Sequence, residues 1–427
     1  MKLFKYLVLR SLQASVRRLF RTNPSIKLIA VVGSVGKTST KSAIVDILST
    51  KNRIRTNRGN FNAELSAPLE ILGVDGPANP RSLTGWLRTI ITARRVSTIH
   101  HDIDIIVQEC GIDRPGEMAA FASYLRPDIT IITAVSPEHM EFFGDITTVA
   151  HEEFGLSGVS KLVIYNHDDI DPSFITLAGS TPTVSYGTKE GADCRLTTTS
   201  ASSDGFICQL SHHTNTSHQF TIPVLGTHQL RIVAGAAAVA LESGMELADI
   251  ITALEQLKPI PGRMQPLSGV NGSLLIDDSY NSSPLAAASA LRTLYSLPQA
   301  HKIAILGDMN ELGNTTKAEH QALGQLCDPK QLTHLITVGQ MARHHLAPAA
   351  KANGCTVTSF TTAPEAAELL SKLAVADTAL LFKGSQGNIY LEEAIKPLLN
   401  NPDDSHKLVR QSPEWLKKKQ KFFNQQT

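Results

Sequence analysis

A chain of 427 residues, 42% hydrophobic and 19% charged, has the composition of an ordinary globular protein with about two or three domains. Its net charge of +1 provides no general attraction to nucleic acid, so we expect no nucleic-acid partner. The five cysteines are scattered without a Cys-x-x-Cys pair. This pattern argues against a structural zinc site and a disulfide framework, and it fits a reducing, cytoplasmic compartment.

The first 26 residues predict a basic amphipathic helix. They carry lysines and arginines without an acid, and their apolar residues recur near helical spacing: Phe4, Val8, Leu12, Val16 and Leu19. Charge interrupts the segment too often for a membrane span, and it lacks the pattern of a signal peptide. Two interpretations remain open: peripheral contact with the inner face of a membrane, or packing on the protein itself or on a partner chain.

The segment from Val31 to Thr40, Val-Val-Gly-Ser-Val-Gly-Lys-Thr-Ser-Thr, joins a β-branched strand to a Gly-rich loop and then to a helix. Such a loop wraps an anion with backbone amides, while Lys37 reaches the terminal phosphates and Thr38 can bind Mg²⁺. Val31 stands where the full P-loop pattern has glycine, so the loop is a shortened variant. The sequence therefore predicts a nucleoside triphosphate bound by Gly33, Ser34, Val35, Gly36, Lys37, Thr38 and Ser39.

The fold class follows from apolar runs that alternate with helical patterns. Runs at 27–33, 104–109, 128–135 and 161–166 predict buried parallel strands of a doubly wound α/β sheet. A β-rich segment follows at about 182–223. An Ala-rich helix then begins after Gly226 and extends to about Glu242, and a second helix extends to Leu257.

Lys258-Pro259-Ile260-Pro261-Gly262 marks a domain boundary, after which the strand and helix rhythm restarts. New strands are predicted at 273–278, 302–306, 333–338, 355–360 and 378–383, which indicates a Rossmann-like α/β domain without the Gly-x-Gly-x-x-Gly fingerprint. The predicted organisation has four parts: the basic helix 1–26, a P-loop domain 27–265, the Rossmann-like domain 266–404 and a basic tail 405–427.

Two further polar residues are expected at the edge of the P-loop sheet. Glu109 ends the strand 104–109, and His139 follows the strand 128–135. The carboxyl ends of parallel strands meet at one edge, where a carboxylate is a natural Mg²⁺ ligand. Taken alone, Glu109 is equally suited to an ion pair, and a lone loop histidine is more often a plain surface residue.

Eight motifs follow one another along the chain: Gly33-Ser34-Val35-Gly36-Lys37-Thr38, Gly59-Asn60-Phe61-Asn62-Ala63-Glu64, Glu109-Cys110-Gly111, Ser136-Pro137-Glu138-His139, Gly262-Arg263, Asp277-Asp278-Ser279-Tyr280-Asn281, Leu306-Gly307-Asp308-Met309-Asn310-Glu311-Leu312-Gly313 and Lys383-Gly384-Ser385. This is the order found in the Mur ligases, and the chain resembles that family over roughly residues 27–400.

The resemblance implies an ATP-dependent amide-forming ligase of peptidoglycan synthesis. In the branch of the family that the motifs favour, a UDP-N-acetylmuramoyl tripeptide is activated as an acyl phosphate and joined to D-alanyl-D-alanine. Implied cofactors are ATP and Mg²⁺. By analogy Lys37 contacts the β- and γ-phosphates, Thr38 and Glu109 hold one Mg²⁺, and His139 helps to hold a second.

Other site residues are carried over from the same resemblance. Arg263, Asp278 and Asn281 match positions that contact ATP. Asn60 and Asn62 match positions near the phosphates and substrate. Lys383 and Ser385 match the motif near the incoming amino substrate.

The sequence departs from the family at four places. Glu153 occupies the position of a lysine whose carbamate helps to bind the second Mg²⁺, and we hypothesise that its carboxylate supplies that charge directly or through a water. The alternative is a weakened second metal site. Only about 26 residues precede the P-loop strand, too few for the family's UDP-binding N-terminal domain. The family's His-Asn-x-x-Asn pattern reads His228-Gln229-Leu230-Arg231-Ile232 here, and Gln386 replaces the arginine that often follows Lys-Gly-Ser.

These departures leave two other functions open. One is a Mur-family ligase with a different acceptor, such as a lipid-linked, pseudomurein-like, cyanophycin-like or folate-like substrate. The other is a non-catalytic ATP-binding scaffold, for which Glu153 is the only argument.

Overall fold

A computed structural model describes residues 2–56, 65–137, 140–202, 205–213 and 215–425. The chain divides into two compact units. The first consists of Met1–Thr199, Ile207–Ile222 and Leu230–Leu257, and the second of Ser200–Phe206, Pro223–Gln229 and Lys258–Thr427. Both units are built on mostly parallel sheets with helices, which confirms the predicted α/β fold class.

The first sheet contains ten strands within the described residues, in the order β10-β8-β7-β6-β5-β4-β1-β3-β2, with β9 paired to β8. The strands are β1 (Lys27–Val32), β2 (Ile54–Thr56), β3 (Ile105–Glu109), β4 (Ile129–Ile132), β5 (Leu162–Asn166), β6 (Thr183–Gly187), β7 (Cys194–Ser202), β8 (Gly205–His212), β9 (Asn215–Thr216) and β10 (Phe220–Ile222).

Strand β1 lies between β3 and β4 and pairs in parallel with both. Apart from Lys27 its residues are buried, and every residue of β3 and β4 is buried, as continuous apolar runs predict for a covered parallel sheet. The register pairs Val31 with Glu109 and Val32 with Ile132. The carboxyl ends of the three strands therefore meet where the direction of winding reverses, which is where α/β sheets bind ligands.

The helices of this part of the chain cover the sheet. They are α1 (Lys2–Thr22), α2 (Lys37–Leu48), α3 (Ser66–Leu72), α4 (Leu83–Val96), α5 (Glu117–Ala122), α6 (Met140–Phe143), α7 (Ile146–Glu153), α8 (Thr227–Glu242) and α9 (Leu247–Glu255). The two helices predicted between 226 and 257 correspond to α8 and α9.

The N-terminal helix α1 packs on its own protein. Val8, Leu12, Val16 and Leu19 are buried in the core of the first unit, and the helix contacts α3 and α4. Of the two interpretations of the predicted apolar face, packing is the one that the structure shows, and it gives no support to membrane contact through these residues. Among the described helices, none is both long and apolar enough to cross a membrane.

The second sheet has six strands among the described residues, in the order β11-β12-β16-β13-β14-β15. They are β11 (Gln265–Ser268), β12 (Leu274–Asp278), β13 (His301–Gly307), β14 (His334–Val338), β15 (Val357–Phe360) and β16 (Thr378–Lys383). Only β11 is antiparallel to its neighbour. Strand β16, the last in the chain, lies between β12 and β13, so that the ends of β12, β16 and β13 adjoin.

Helices α10 (Pro284–Ser296), α11 (Thr316–Gln325), α12 (Ala347–Ala352), α13 (Ala367–Leu373), α14 (Glu392–Ile395) and α15 (Pro413–Phe423) complete the second unit. The predicted basic tail contains α15, one face of which packs on the second unit, while Lys417, Lys418 and Lys421 are exposed. The Tyr390 ring contacts Trp415, Phe422 and Phe423 edge to face, and Lys419 is only 2% exposed.

The buried face of α1 predicts a contrast between two leucines. Leu12→Ala should lower the free energy of unfolding by about 2–5 kcal/mol, because it leaves a cavity in a packed core. Leu7→Ala is the matched control, since Leu7 is 57% exposed, and we expect a change within about 0.5 kcal/mol. Urea titration followed by circular dichroism measures both. Equal, small effects would show that α1 does not pack as described.

Candidate active site

The loop between β1 and α2 has the conformation of a phosphate cradle. Gly33 and Gly36 have φ values of 121° and 89°, which residues with a side chain rarely adopt. A Cβ on Gly33 would lie 2.3 Å from Thr133 Oγ1 and 2.8 Å from Ala134 N, so only glycine fits there. Helix α2 begins at Lys37. The backbone N–H groups of its first turn and the positive end of its dipole are suited to binding an anion.

Residues that follow β4 hold this loop in place. Thr133 Oγ1 lies 2.7 Å from Val35 O and 3.0 Å from Val32 O. Ser34 N donates to Ala134 O at 3.0 Å, and Ser34 Oγ accepts from Ser136 N at 3.0 Å. The Ser34 side chain therefore fixes the loop. Thr133 was not a sequence candidate, and its position one residue beyond a strand that adjoins the P-loop is the signal that could have found it.

The other predicted loop residues differ in what they present. Lys37 Nζ donates to the backbone carbonyl of Gly33, across the mouth of the loop. Val35 is exposed at the tip, whereas Ser39 is buried in the first turn of α2. The backbone amides of the loop, with their partial positive charge, and the Lys37 ammonium are thus the groups that can bind a phosphate here.

Glu109 at the end of β3 is buried, and α2 supplies its partners. Thr38 Oγ1 donates to Glu109 Oε1 at 3.2 Å, and Lys41 Nζ lies 3.5 Å from Glu109 Oε2. Burial lowers the pKa of Lys41, and the charge of Glu109 partly offsets that shift. Sequence reasoning missed Lys41. Its position one helical turn after Lys37, followed on the same face by Ile44 and Leu48, is the signal that could have found it.

The oxygens of Thr38 and Glu109 fit a magnesium ion. Mg²⁺ binds oxygen at about 2.0–2.1 Å in octahedral geometry, so neighbouring ligands lie roughly 3 Å apart. The separation of 3.2 Å between Thr38 Oγ1 and Glu109 Oε1 is close to that value. Both predicted ligands of the first metal are therefore placed together beside the P-loop.

Glu153, the last residue of α7, lies against the P-loop. Its side chain is fully buried, and Oε2 accepts a hydrogen bond of 2.6 Å from Gly33 N. Burial raises the pKa of the neighbouring Cys110 thiol, and the charges of Glu109 and Glu153 raise it further. Glu153 thus belongs to the same neighbourhood as Glu109, with one carboxylate oxygen engaged by the P-loop backbone.

In the second unit, the parallel register places Asp278 beside Lys383 at the ends of β12 and β16. Lys383 Nζ lies 2.9 Å from Asp278 Oδ2 and donates to Asn281 O at 2.7 Å. Burial lowers the pKa of Lys383, and Asp278 opposes that shift. Lys383 is 2% exposed, so its ammonium group fixes the predicted ATP-contacting residues Asp278 and Asn281.

The remaining predicted residues of the second unit lie beside this pair. The Arg263 guanidinium stacks over the Tyr280 ring at 4.2 Å from its centroid. Ser385 is buried, and its Oγ accepts from Asn310 N at 2.8 Å. Its hydroxyl therefore orders the loop after β13. The predicted residues Asn60, Asn62 and His139 lie outside the described residues.

Asp277 and Asp278 are adjacent in β12 and point to opposite faces of the sheet. Asp277 is fully buried, and its Oδ1 accepts a hydrogen bond of 3.0 Å from Ser279 N. Burial raises the pKa of Asp277 to about 6, against the effect of the Ser279 hydrogen bonds and with a contribution from the negative charge of Glu392. The two neighbouring aspartates therefore differ: Asp278 forms an ion pair with Lys383, and Asp277 holds its proton more tightly than an aspartate in water does.

Comparisons with known proteins match the two units to two domain families. Residues 31–240 match the Mur ligase middle domain, and residues 262–386 match the Mur ligase, glutamate ligase domain. A Bacillus subtilis protein named UDP-N-acetylmuramoyl-tripeptide–D-alanyl-D-alanine ligase is 28% identical over 381 residues, or 88% of this chain and 76% of that protein. An Escherichia coli protein of the same name is 26% identical over 74% of this chain and 65% of that protein.

Solved structures agree with the sequence relatives. A crystal structure of MurF from Acinetobacter baumannii matches with a TM-score of 0.74 and 25% identity, over 90% of this chain and 79% of that chain. The chain therefore spans between 65% and 79% of the length of these three proteins. The predicted resemblance to the family is confirmed.

The raised pKa of Asp277 predicts a pH-dependent effect on stability. The folded protein holds this proton more tightly than the unfolded chain, so stability falls as pH rises from the ordinary pKa of 3.8 to about 6. We expect Asp277→Asn to raise the free energy of unfolding by roughly 2–3 kcal/mol at about pH 8 and to have little effect at about pH 4. Urea titrations at both pH values, with the exposed Asp403→Asn as control, measure this. A stabilisation of the same size at both pH values would contradict it.

Proposed function

Because the chain belongs to the Mur ligase family, we propose that it is an ATP-dependent ligase that joins a peptidoglycan precursor to an amino substrate. The specific reaction that we propose is the addition of D-alanyl-D-alanine to a UDP-N-acetylmuramoyl tripeptide, as the names of the relatives indicate for those proteins. We place the reaction in the cytoplasm, where ATP is supplied and the five buried thiols stay reduced.

One observation carries the nucleotide and metal part of the proposal. The P-loop cradle, the Thr38 hydroxyl and the Glu109 carboxylate meet at the carboxyl edge of β1 and β3, with the two oxygens 3.2 Å apart. A phosphate chain held by the loop would place its terminal phosphate next to that pair of oxygens. Charge neutralisation on the transferring phosphoryl group is the chemistry that Mg²⁺ supplies when bound there.

The proposed reaction has two bond-forming steps. In the first, a carboxylate oxygen of the tripeptide attacks the γ-phosphorus, the bond to the β-phosphate oxygen breaks, and ADP leaves. In the second, the amine attacks the acyl carbon, phosphate leaves, and the amine proton passes to solvent or a base. Lys37 would exchange its contact with Gly33 O for the β- and γ-phosphates and stabilise the charge of the first step.

The roles proposed for the second unit follow the resemblance. Arg263, Asp278 and Asn281 would contact ATP, and Lys383 and Ser385 would act near the amino substrate. The buried Lys383 supports a positioning role, because its ammonium contacts both Asp278 and Asn281. Asn60 and Asn62 near the substrate, and His139 at a second metal, belong to the same proposal.

Glu153 has a role at the P-loop in this proposal. Its hydrogen bond to Gly33 N holds the first glycine of the loop, and charge-assisted hydrogen bonds of this kind are among the stronger ones. The charge that we predicted for a second Mg²⁺ would come from the same carboxylate. The two roles respond differently to substitution, so one variant separates them.

The ligase proposal predicts phosphate release that requires both substrates. With ATP and Mg²⁺ present, release should occur when UDP-N-acetylmuramoyl tripeptide and D-alanyl-D-alanine are added together and not when either is added alone. Lys37→Ala should lower the rate roughly 100-fold or more, because a charge that stabilises the transferring phosphoryl group is lost. Lys51→Ala is the control: Lys51 is an exposed lysine that pairs with Asp249, and its replacement should leave the rate unchanged.

Two outcomes would overturn the specific reaction. Release with another acceptor or another amine would keep the ligase chemistry and change the substrate. ATP binding without release under any of these conditions, in a protein whose circular dichroism is that of a folded chain, would favour a non-catalytic scaffold.

Glu153→Gln tests the two roles of Glu153. The amide keeps an oxygen for Gly33 N but loses the charge, so we expect the dissociation constant for ADP to rise about fivefold, or roughly 1 kcal/mol. If Glu153 also supplies charge to a metal, the Mg²⁺ concentration for half-maximal phosphate release should rise as well. Glu152→Gln is the control, because Glu152 accepts from Gly116 N and Met118 N away from the P-loop. An unchanged Mg²⁺ dependence would remove the metal role.

A further inference from the structure

A second cluster of possible metal ligands lies in the first unit, outside the groups that the ligase reaction uses. His212 is the last residue of β8, His213 follows it, and Glu242 ends α8. One ligand atom from each of the three side chains lies within 4.8 Å of the other two. The cysteine pattern that argued against a structural zinc site does not bear on this cluster, because its donors are imidazole nitrogens and a carboxylate.

The distance between His212 and Glu242 suits a shared metal ion. His212 Nε2 lies 3.3 Å from Glu242 Oε1. Zinc-type bonds of about 2.0–2.2 Å in tetrahedral geometry place neighbouring ligand atoms roughly 3.4 Å apart. His212 Nε2 is also buried, and within the described part of the chain it has no hydrogen-bond partner of acceptable geometry. This nitrogen is therefore shielded from water and close to the Glu242 carboxylate, but it forms no well-aligned hydrogen bond with it.

The backbone brings the two histidines to one side. Consecutive side chains of a strand point to opposite faces, so His213 would point away from His212 if β8 continued through it. His213 has a φ of 50°, in the left-handed region that residues other than glycine seldom adopt. The two ring centroids consequently lie only 4.2 Å apart. Strain of this kind, stored where two donors converge, is typical of functional positions.

The surroundings suit a cation. Asp193 is next to the cluster: His213 N donates to Asp193 O at 3.2 Å, and the Asp193 carboxylate accepts from Ser185 N at 2.8 Å and Ser185 Oγ at 2.6 Å. With neutral imidazoles, Glu242 and Asp193 give the region two negative charges, which a divalent ion neutralises. His213 is exposed, so an ion can enter from solvent.

We propose that His212, His213 and Glu242 bind one divalent transition-metal ion of the zinc class, with water completing its coordination. Two imidazoles and one carboxylate favour Zn²⁺, Co²⁺ or Ni²⁺ over Mg²⁺, which prefers oxygen ligands alone. The ion links the end of β8 to the end of α8. Because the site exists only in the folded chain, binding stabilises the fold. This inference is independent of the proposed ligase reaction.

Cobalt titration of the full chain, purified without a polyhistidine tag and freed of metal with a chelator, tests the site. Excess Mg²⁺ and no nucleotide are present, so that oxygen ligands near the P-loop do not compete for cobalt. We expect one Co²⁺ per chain, with the visible absorption of a nitrogen- and oxygen-ligated ion, and displacement of that signal by Zn²⁺. His212→Ala and Glu242→Gln should each weaken binding roughly tenfold or more.

His218→Ala is the matched control, since His218 is an exposed histidine of the same region and is not in the cluster. It should bind cobalt as the unchanged protein does. Zn²⁺ should raise the melting temperature of the unchanged protein and of His218→Ala by the same amount, and that of Glu242→Gln by clearly less. Circular dichroism and ADP binding show whether each variant is folded.

Three results would overturn the proposal. The first is no cobalt uptake by the unchanged protein, which would leave His212 and Glu242 as an ion pair only. The second is equal binding by the cluster variants and His218→Ala, which would place the ion elsewhere. The third is cobalt binding without the absorption of histidine ligation.

Discussion

The contact of the buried Glu109 carboxylate with Lys41 and Thr38 is the interaction on which the first unit's site depends. A carboxylate removed from water destabilises a fold unless donors or cations surround it. Both partners come from α2, where residues three apart lie on one face. The start of α2 is therefore fixed relative to the end of β3, and the P-loop is the connection between β1 and that helix. Charge compensation and the shape of the phosphate cradle are consequences of one arrangement.

The second unit meets the same requirement through strand register. Asp278 and Lys383 are paired residues of β12 and β16, so the ion pair follows directly from the parallel sheet. The Lys383 ammonium also stabilises the turn after β12, because it donates a hydrogen bond to Asn281 O. In both units, a buried pair of opposite charges lies at the carboxyl ends of the strands. Charged groups gather at the carboxyl edge of a parallel sheet because the loops that leave the strands and the helices that follow them begin at that edge.

The sequence predicted the features that depend on local pattern. Apolar runs located β1, β3 and β12 within a few residues, and the glycine spacing located the P-loop, whose Gly33 admits no Cβ. It missed contacts between distant segments. Nothing near Lys41 indicates that its partner is Glu109, and nothing near Glu153 indicates that its carboxylate accepts from Gly33 N, 120 residues earlier. Such pairs arise from the packing of helices on a sheet, which single-sequence patterns do not specify.

The C-terminal segment shows why charge alone is a poor guide to solvent exposure. Of the four lysines of α15, three are exposed, whereas Lys419 is buried and bridges Glu392 and Glu393. Arg410 contacts Glu392 as well, with its Nη2 2.6 Å from Oε2. Glu392 is fully buried and needs these cations, because an uncompensated carboxylate at that position would be costly. Asp277 forms no such ion pair within the described part of the chain, and the charge of Glu392 adds to the rise of its pKa. Arg410 and Lys419 are thus part of the electrostatic balance of the second unit's core.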